Sequence, residues 1–145
     1  MEKIWLKKYP AGVPAEINPD EYHSIYQVFE EAVSKFGDQP CVSNMGTTLS
    51  FYELKGKVDD FASFLQHELH LKKGDRIAIQ MPNLMQFPVV LFAAFKVGLV
   101  VVNTNPLYTA KEMQHQFSDS GAKCVVILAN FACIVTGKQI GRAHV

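Results

Sequence analysis

Apolar and polar positions recur along this chain in several different periods, and each change of period marks an element. Ile25, Val28, Phe29, Ala32, Val33 and Phe36 follow at helical spacing. Ser24 and Gln27 stand in capping-box positions before them and Gly37 follows, so a helix is predicted over 25–36. Short β-prone runs flank Asn44-Met45-Gly46, which predicts a small hairpin with a loop of three to four residues. Ser50 with Glu53 is a second capping box, and Leu54, Val58, Phe61, Ala62, Leu65 and Leu69 make one apolar stripe behind it.

After the turn Lys72-Lys73-Gly74-Asp75 the period changes to two. Ile77, Ile79 and Met81 share one face and the small Ala78 takes the other, so this is a strand. The segment from Leu84 to Gly98 reads as a buried helix, apolar nearly all round, with Asn83 as its cap and Pro88 in its opening turns. Leu99 to Asn103 is an apolar, β-branched run. Thr109 with Glu112 is a third capping box, Met113 and Phe117 face inward, and Gly121 closes that helix before a last strand in Lys123–Ala129.

Two strand–helix–strand crossovers with short connections imply a parallel sheet wound right-handed. The fold class is therefore α/β: a βαβαβ parallel-sheet unit, a flavodoxin-like layer, preceded by two helices and a small β-hairpin. Residues 1–22, with Pro10, Pro14 and Pro19, read as an extended N-terminal arm, and 23–132 as the folded body. The stretch 133–145 loses all periodicity.

Composition narrows the function. At 145 residues with 48% apolar and 19% charged side chains, the chain has material for one core. Fourteen basic and fourteen acidic residues cancel, which argues against nucleic acid as a partner. Cys41, Cys124 and Cys133 cannot all pair with one another, and with no C-x-x-C motif they suit a reducing cytoplasm. Ile4-Trp5-Leu6 is too short for a signal peptide, and the apolar window from Phe87 to Val102 falls short of a membrane span. Flanked by Lys3, Lys7 and Lys8, the same tripeptide has the make-up of a peripheral membrane anchor. Three apolar residues bury little area, so packing of Trp5 on the domain surface is the heavier expectation.

No complete catalytic constellation is visible. The first strand-to-helix turn, Gln80 to Phe87, has no glycine to let a backbone approach a pyrophosphate. Gly137-Lys138 fails as a phosphate loop, because Ala132 stands where its first glycine belongs and Gln139 where its hydroxyl belongs. Ser24, Ser50 and Thr109 are caps rather than nucleophiles, and Glu30-Glu31 and Asp59-Asp60 are solvated charge on outer helix faces. His67 and His70 lack a third metal ligand and are expected to face solvent. The polar knot Asn103-Thr104-Asn105-Pro106 lies at the carboxyl end of a parallel strand, where ligands bind in such sheets, yet its residues are those of a turn. Catalytic, cofactor-binding and metal-binding residues are accordingly expected to be none.

Leu49–Leu65, "LSFYELKGKVDDFASFL", resembles the first core motif of the adenylate-forming, or acyl-CoA synthetase, superfamily. "MPNLMQFPVVLFAAFKVGLVVVNTNPLYTAKEMQHQFSDSGAKCVVI" resembles the second core motif with its flanks. Asn103-x-Asn105-Pro106-Leu107-Tyr108-Thr109, with "WLKKYPAGVPAEINPDEY", is similar in detail to bacterial long-chain fatty-acid CoA ligases. The resemblance covers about residues 1–132. It implies an enzyme that joins a long-chain fatty acid to coenzyme A through an acyl adenylate, using ATP and Mg2+. The phosphate loop, ribose-binding acid, acyl pocket and C-terminal lysine of that family match no position here. The resemblance thus implies an incomplete N-terminal part of a larger domain, inactive and binding no cofactor by itself. It further implies a tail at 133–145 foreign to the family, such as a change of reading frame would leave, and self-association through an open sheet edge or apolar surface. The alternatives are a stand-alone flavodoxin-like module binding a nucleotide or acyl ligand, and a non-catalytic assembly domain.

Overall fold

The structure, a computed structural model, describes residues 3–132. The stretch 133–145, with Cys133 and Gly137-Lys138, lies outside the described residues.

Helix α1 (Ile25–Phe36) starts at Ser24, whose Oγ accepts from the Gln27 amide at 3.1 Å. The Gln27 side chain accepts from the amide of His23 rather than Ser24, so the box closes one residue early. Phe29 and Val33 are buried, but Ile25 and Val28, expected in the same stripe, are 61% and 42% exposed. The covered arc is narrower than the apolar one, because α1 touches its neighbours along one side only.

Strands β1 (Pro40–Asn44) and β2 (Thr47–Ser50) pair antiparallel, with Asn44 opposite Thr47. The loop is therefore two residues long, shorter than expected. Met45 (φ 49°) and Gly46 (φ 81°) both adopt left-handed backbone, the primed turn whose twist matches the strands. Helix α2 (Phe51–His67) begins with a complete capping box between Ser50 and Glu53 and buries Leu54, Val58, Ala62 and Leu65. It stops before Leu69, which is 40% exposed. His70 turns left-handed (φ 53°) and Leu71 N–H donates back to the Leu65 carbonyl, so Leu71 takes the core position instead.

The sheet comprises β3 (Arg76–Gln80), β4 (Val100–Asn103) and β5 (Cys124–Ile127), in the order β4-β3-β5, all parallel. Helix α3 (Gln86–Val97) joins β3 to β4 and α4 (Ala110–Ser120) joins β4 to β5. The two crossovers run in opposite directions across the sheet, so right-handedness puts α3 on one face and α4 on the other. The main core lies on the α3 face, where Ile77, Leu54, Val58, Leu65 and Ala93 meet, and α2 packs along α3. Ala78 and Gln80 point to the α4 face, above which Met113 is 2% exposed.

Asn83 does not cap α3. The helix starts after Met85, two residues beyond Asn83, without a side-chain cap, and its third residue, Pro88, has no N–H to offer one. The outer strands also depart from the expected full burial: Val100 on β4 is 49% exposed, since β4 and β5 are both edges. The arm is not wholly extended either, as Ile4–Lys8 forms a short 3-10 helix with no buried residue.

Candidate functional site

In an open parallel sheet, ligands bind beyond the carboxyl ends of the strands where successive crossovers leave in opposite directions. Here the two described crossovers leave from the adjacent strands β3 and β4, so that place lies at their carboxyl ends, next to the turns Met81–Met85 and Thr104–Tyr108.

The second turn is closed by its own residues. Asn105 Oδ1 accepts from Leu107 N–H at 3.0 Å, and its main-chain carbonyl accepts from Tyr108 N–H at 3.1 Å and Gln80 Nε2 at 3.3 Å. Thr104 N–H donates to the Ile79 carbonyl, and Thr104 itself is buried. Asn103 contributes its main-chain carbonyl, which accepts from Gln116 Nε2 at 3.3 Å, rather than its side chain. Thr109 and Glu112 complete the capping box at α4, with the carboxylate accepting from Thr109 N–H at 2.8 Å and Thr109 Oγ1 at 2.7 Å. Those bonds hold the Glu112 carboxyl below its ordinary range. An ionised carboxylate therefore sits on the helix terminus that a phosphate would need.

The first turn offers no better cradle. Phe87 N–H is taken by the Leu84 carbonyl and Pro88 has no N–H, so α3 has few donors to direct at an anion. A cleft of about 230 Å³ opens between β1 and this turn, lined by Val42, Asn44, Asn83, Leu84, Phe87 and Pro88 among others. It carries no charged side chain. Among the described residues, no group of three or more His, Cys, Asp or Glu is arranged for a metal.

Two amides beside the carboxyl end are under-used: Gln80 Oε1 and Gln116 Oε1 are buried without a hydrogen-bond partner. Sequence pattern did not single out either residue. The remaining expected positions stand apart from this place. His67 and His70 are exposed, as are Glu30, Glu31 and Asp60. Cys41 and Cys124 are free, and burial raises both thiols above their ordinary range, which makes them poor nucleophiles.

Asp59 corrects the expectation of plain solvated charge. Its carboxylate accepts from Lys55 Nζ at 2.5 Å and from Lys96 Nζ on α3 at 2.6 Å. Lys96 also lies 5.8 Å from the centre of the Tyr26 ring on α1, so one cation ties three helices. Partial desolvation pushes the Asp59 carboxyl up, but the hydrogen bonds and charges of Lys55 and Lys96 outweigh it and hold the group below its ordinary range. This is a structural clamp.

Comparison with known proteins accords with this geometry. The family profile described as AMP-binding enzyme matches residues 29–144. The chain belongs to the AMP-binding enzyme family. It is 52% identical over 132 residues to the long-chain-fatty-acid–CoA ligase of Salmonella typhimurium, covering 91% of this chain and 24% of that protein. The Yersinia pestis protein of the same name is 53% identical over the same span, and the Bacillus subtilis one 32% over 127 residues. The chain thus spans about a quarter of the length of the curated relatives it matches. Among solved structures, the inhibitor-bound N-terminal domain of FACL13 from Mycobacterium tuberculosis superposes with a TM-score of 0.74 at 25% identity, covering 79% of this chain and 29% of that one. The N-terminal subdomain of Klebsiella oxytoca NpsA gives 0.72 at 22% identity over 80% and 29%, a likeness of fold. The expected adenylate-forming membership and α/β architecture both hold.

Proposed function

We propose that this chain is the N-terminal portion of an AMP-forming long-chain fatty-acid CoA ligase. The carrying observation is the 52% identity, sustained across 91% of the chain, to proteins of that activity. In the whole enzyme the fatty-acid carboxylate attacks the α-phosphate of ATP to give an acyl adenylate and pyrophosphate. The coenzyme A thiol then displaces AMP to give the thioester. Mg2+ would neutralise the triphosphate and help pyrophosphate leave.

The portion described here contributes framework: a sheet whose carboxyl-end turns are closed by Asn105, Thr109 and Glu112. By itself it is inactive and binds no cofactor: the phosphate loop, ribose-binding acid, acyl pocket and C-terminal lysine of the family match no position in it. Nucleotide and acyl chemistry fall to other parts of the enzyme. Two open sheet edges, with Val100 exposed on one, favour self-association, and the whole enzyme works on the cytoplasmic side with peripheral contact at the inner membrane face.

The test is a chimera in which residues 3–132 replace the matching segment of the Yersinia pestis relative. Oleoyl-CoA synthesis from ATP, Mg2+, oleate and coenzyme A should persist. A folded chimera without activity would refute the reading. Turnover by this chain alone would refute its inactivity, and micromolar ATP binding by calorimetry would favour the stand-alone module instead.

A further inference from the structure

Residues 3–24 are the least covered part of the described chain: all are exposed except the half-buried Leu6. Six large apolar side chains nevertheless sit there, Ile4 (65% exposed), Trp5 (48%), Tyr9 (44%), Val13 (49%), Ile17 (88%) and Tyr22 (42%). Trp5 is about half exposed, and the apolar surface on offer is far larger than the tripeptide suggested.

Charge indicates the occupant. Lys3, Lys7 and Lys8 bracket Ile4-Trp5-Leu6 with no acidic residue within 3–8, whereas Glu16, Asp20 and Glu21 fall further along the arm, so the basic character belongs to the short helix alone. The pair between Lys3 and Glu16 is exposed on both sides and exchanges for an external anion at little cost. An anionic lipid surface matches both features: indole and phenol rings settle at headgroup depth, aliphatic groups sit below, and lysines extend to the phosphates.

We propose that residues 3–8 form an interfacial anchor that lays Ile4 and Trp5 into an anionic lipid surface, with Lys3, Lys7 and Lys8 facing the headgroups. The inference rests on the peripheral contact proposed above and names the element responsible.

Trp5 is the chain's single tryptophan, so its emission reports on the arm alone. With vesicles containing phosphatidylglycerol, emission shifts to the blue and brominated acyl chains quench it. Pure phosphatidylcholine gives little of either. Each lysine near an anionic surface is worth about a five-fold gain in partitioning, so Lys3→Gln/Lys7→Gln/Lys8→Gln weakens binding on the order of a hundred-fold. Leu107→Ala, which trims an 82% exposed apolar residue elsewhere, leaves partitioning unchanged. Unmoved Trp5 emission, equal binding to both vesicle types, or an equal loss in Leu107→Ala overturns the proposal, as does a lipid-free blue shift that grows with protein concentration. Flotation separates the failures. A chain that floats with anionic vesicles while Trp5 emission stays unmoved keeps its peripheral contact through another surface, whereas no flotation removes both readings.

Discussion

Replacing Gln80 by methionine should stabilise the protein. Gln80 ends the central strand, is 1% exposed, and leaves its Oε1 unpartnered. A carbonyl taken out of water without a donor costs about 1–3 kcal/mol. Against this stands the bond from Gln80 Nε2 to the Asn105 carbonyl, which at 3.3 Å belongs near the bottom of the usual range, about 0.5 kcal/mol. Asn105 keeps Tyr108 N–H as a donor at 3.1 Å, so removing the amide orphans nothing. Methionine has a similar length and volume and adapts to irregular gaps, so repacking costs little. The balance favours Gln80→Met by about 1 kcal/mol, read as a higher urea midpoint at unchanged slope and a melting temperature raised by roughly 3 °C. A loss of about 1 kcal/mol or more would refute the reasoning, since it would require a donor on Oε1 in the folded chain. Gln80→Glu is the companion measurement: burying a charge there should destabilise strongly near neutral pH and progressively less as the carboxyl is protonated.

Leu65→Ala, at a side chain with no exposed surface, should cost about 2–5 kcal/mol in urea unfolding, and a loss below roughly 1 kcal/mol would mean that the α2 face is not packed as described. Thr109→Ala removes both the hydroxyl that caps α4 and a donor to Glu112, and should cost about 1 kcal/mol with the helix start frayed in amide exchange. Gly98→Ala forces a side chain onto φ 81° with a Cβ 3.0 Å from Lys73 Cγ, and should lower stability by about 1–2 kcal/mol, whereas an unchanged midpoint would argue against that turn. The folded-state pKa of Asp59 is depressed, so its stabilisation is complete above the unfolded value of about 3.9 and is lost as pH falls through the lower folded value. With the side chain 35% exposed, screening limits the effect to roughly 0.5 kcal/mol. Asp59→Asn should flatten that part of the acid limb, and an unchanged limb would place the pH dependence elsewhere.

What the sequence made legible was local. Ser24, Ser50 and Thr109 cap helices because their partners stand three residues away, within reach before any tertiary structure forms. The alternation in Arg76–Gln80 and the turn at Met45-Gly46 are likewise short-range facts, although the loop proved two residues long because both positions accept left-handed backbone. Features set by distant partners were not legible. Asp59 looked like solvated charge since Lys96 lies 37 residues on, and Ile25 and Val28 looked like core since nothing in a stripe records how wide its neighbour is. The contact between Gln80 and Asn105 spans 25 residues and depends on the return of β4 beside β3.

The same distinction holds at the Asn103–Thr109 turn, where the local bonds were legible and the electrostatic feature was not. Asn105 bonding Leu107 is a local event, and the capping box is another. The decisive feature is electrostatic. A sheet of this order opens a crevice at its carboxyl end, and a bare helix N-terminus there would attract phosphate. Glu112 occupies that terminus with its own ionised carboxylate, held by two bonds from Thr109, so the helix dipole is already answered from within the chain. The helix terminus at this carboxyl end is therefore neutralised from within the chain, and the turn fixes β4 against α4.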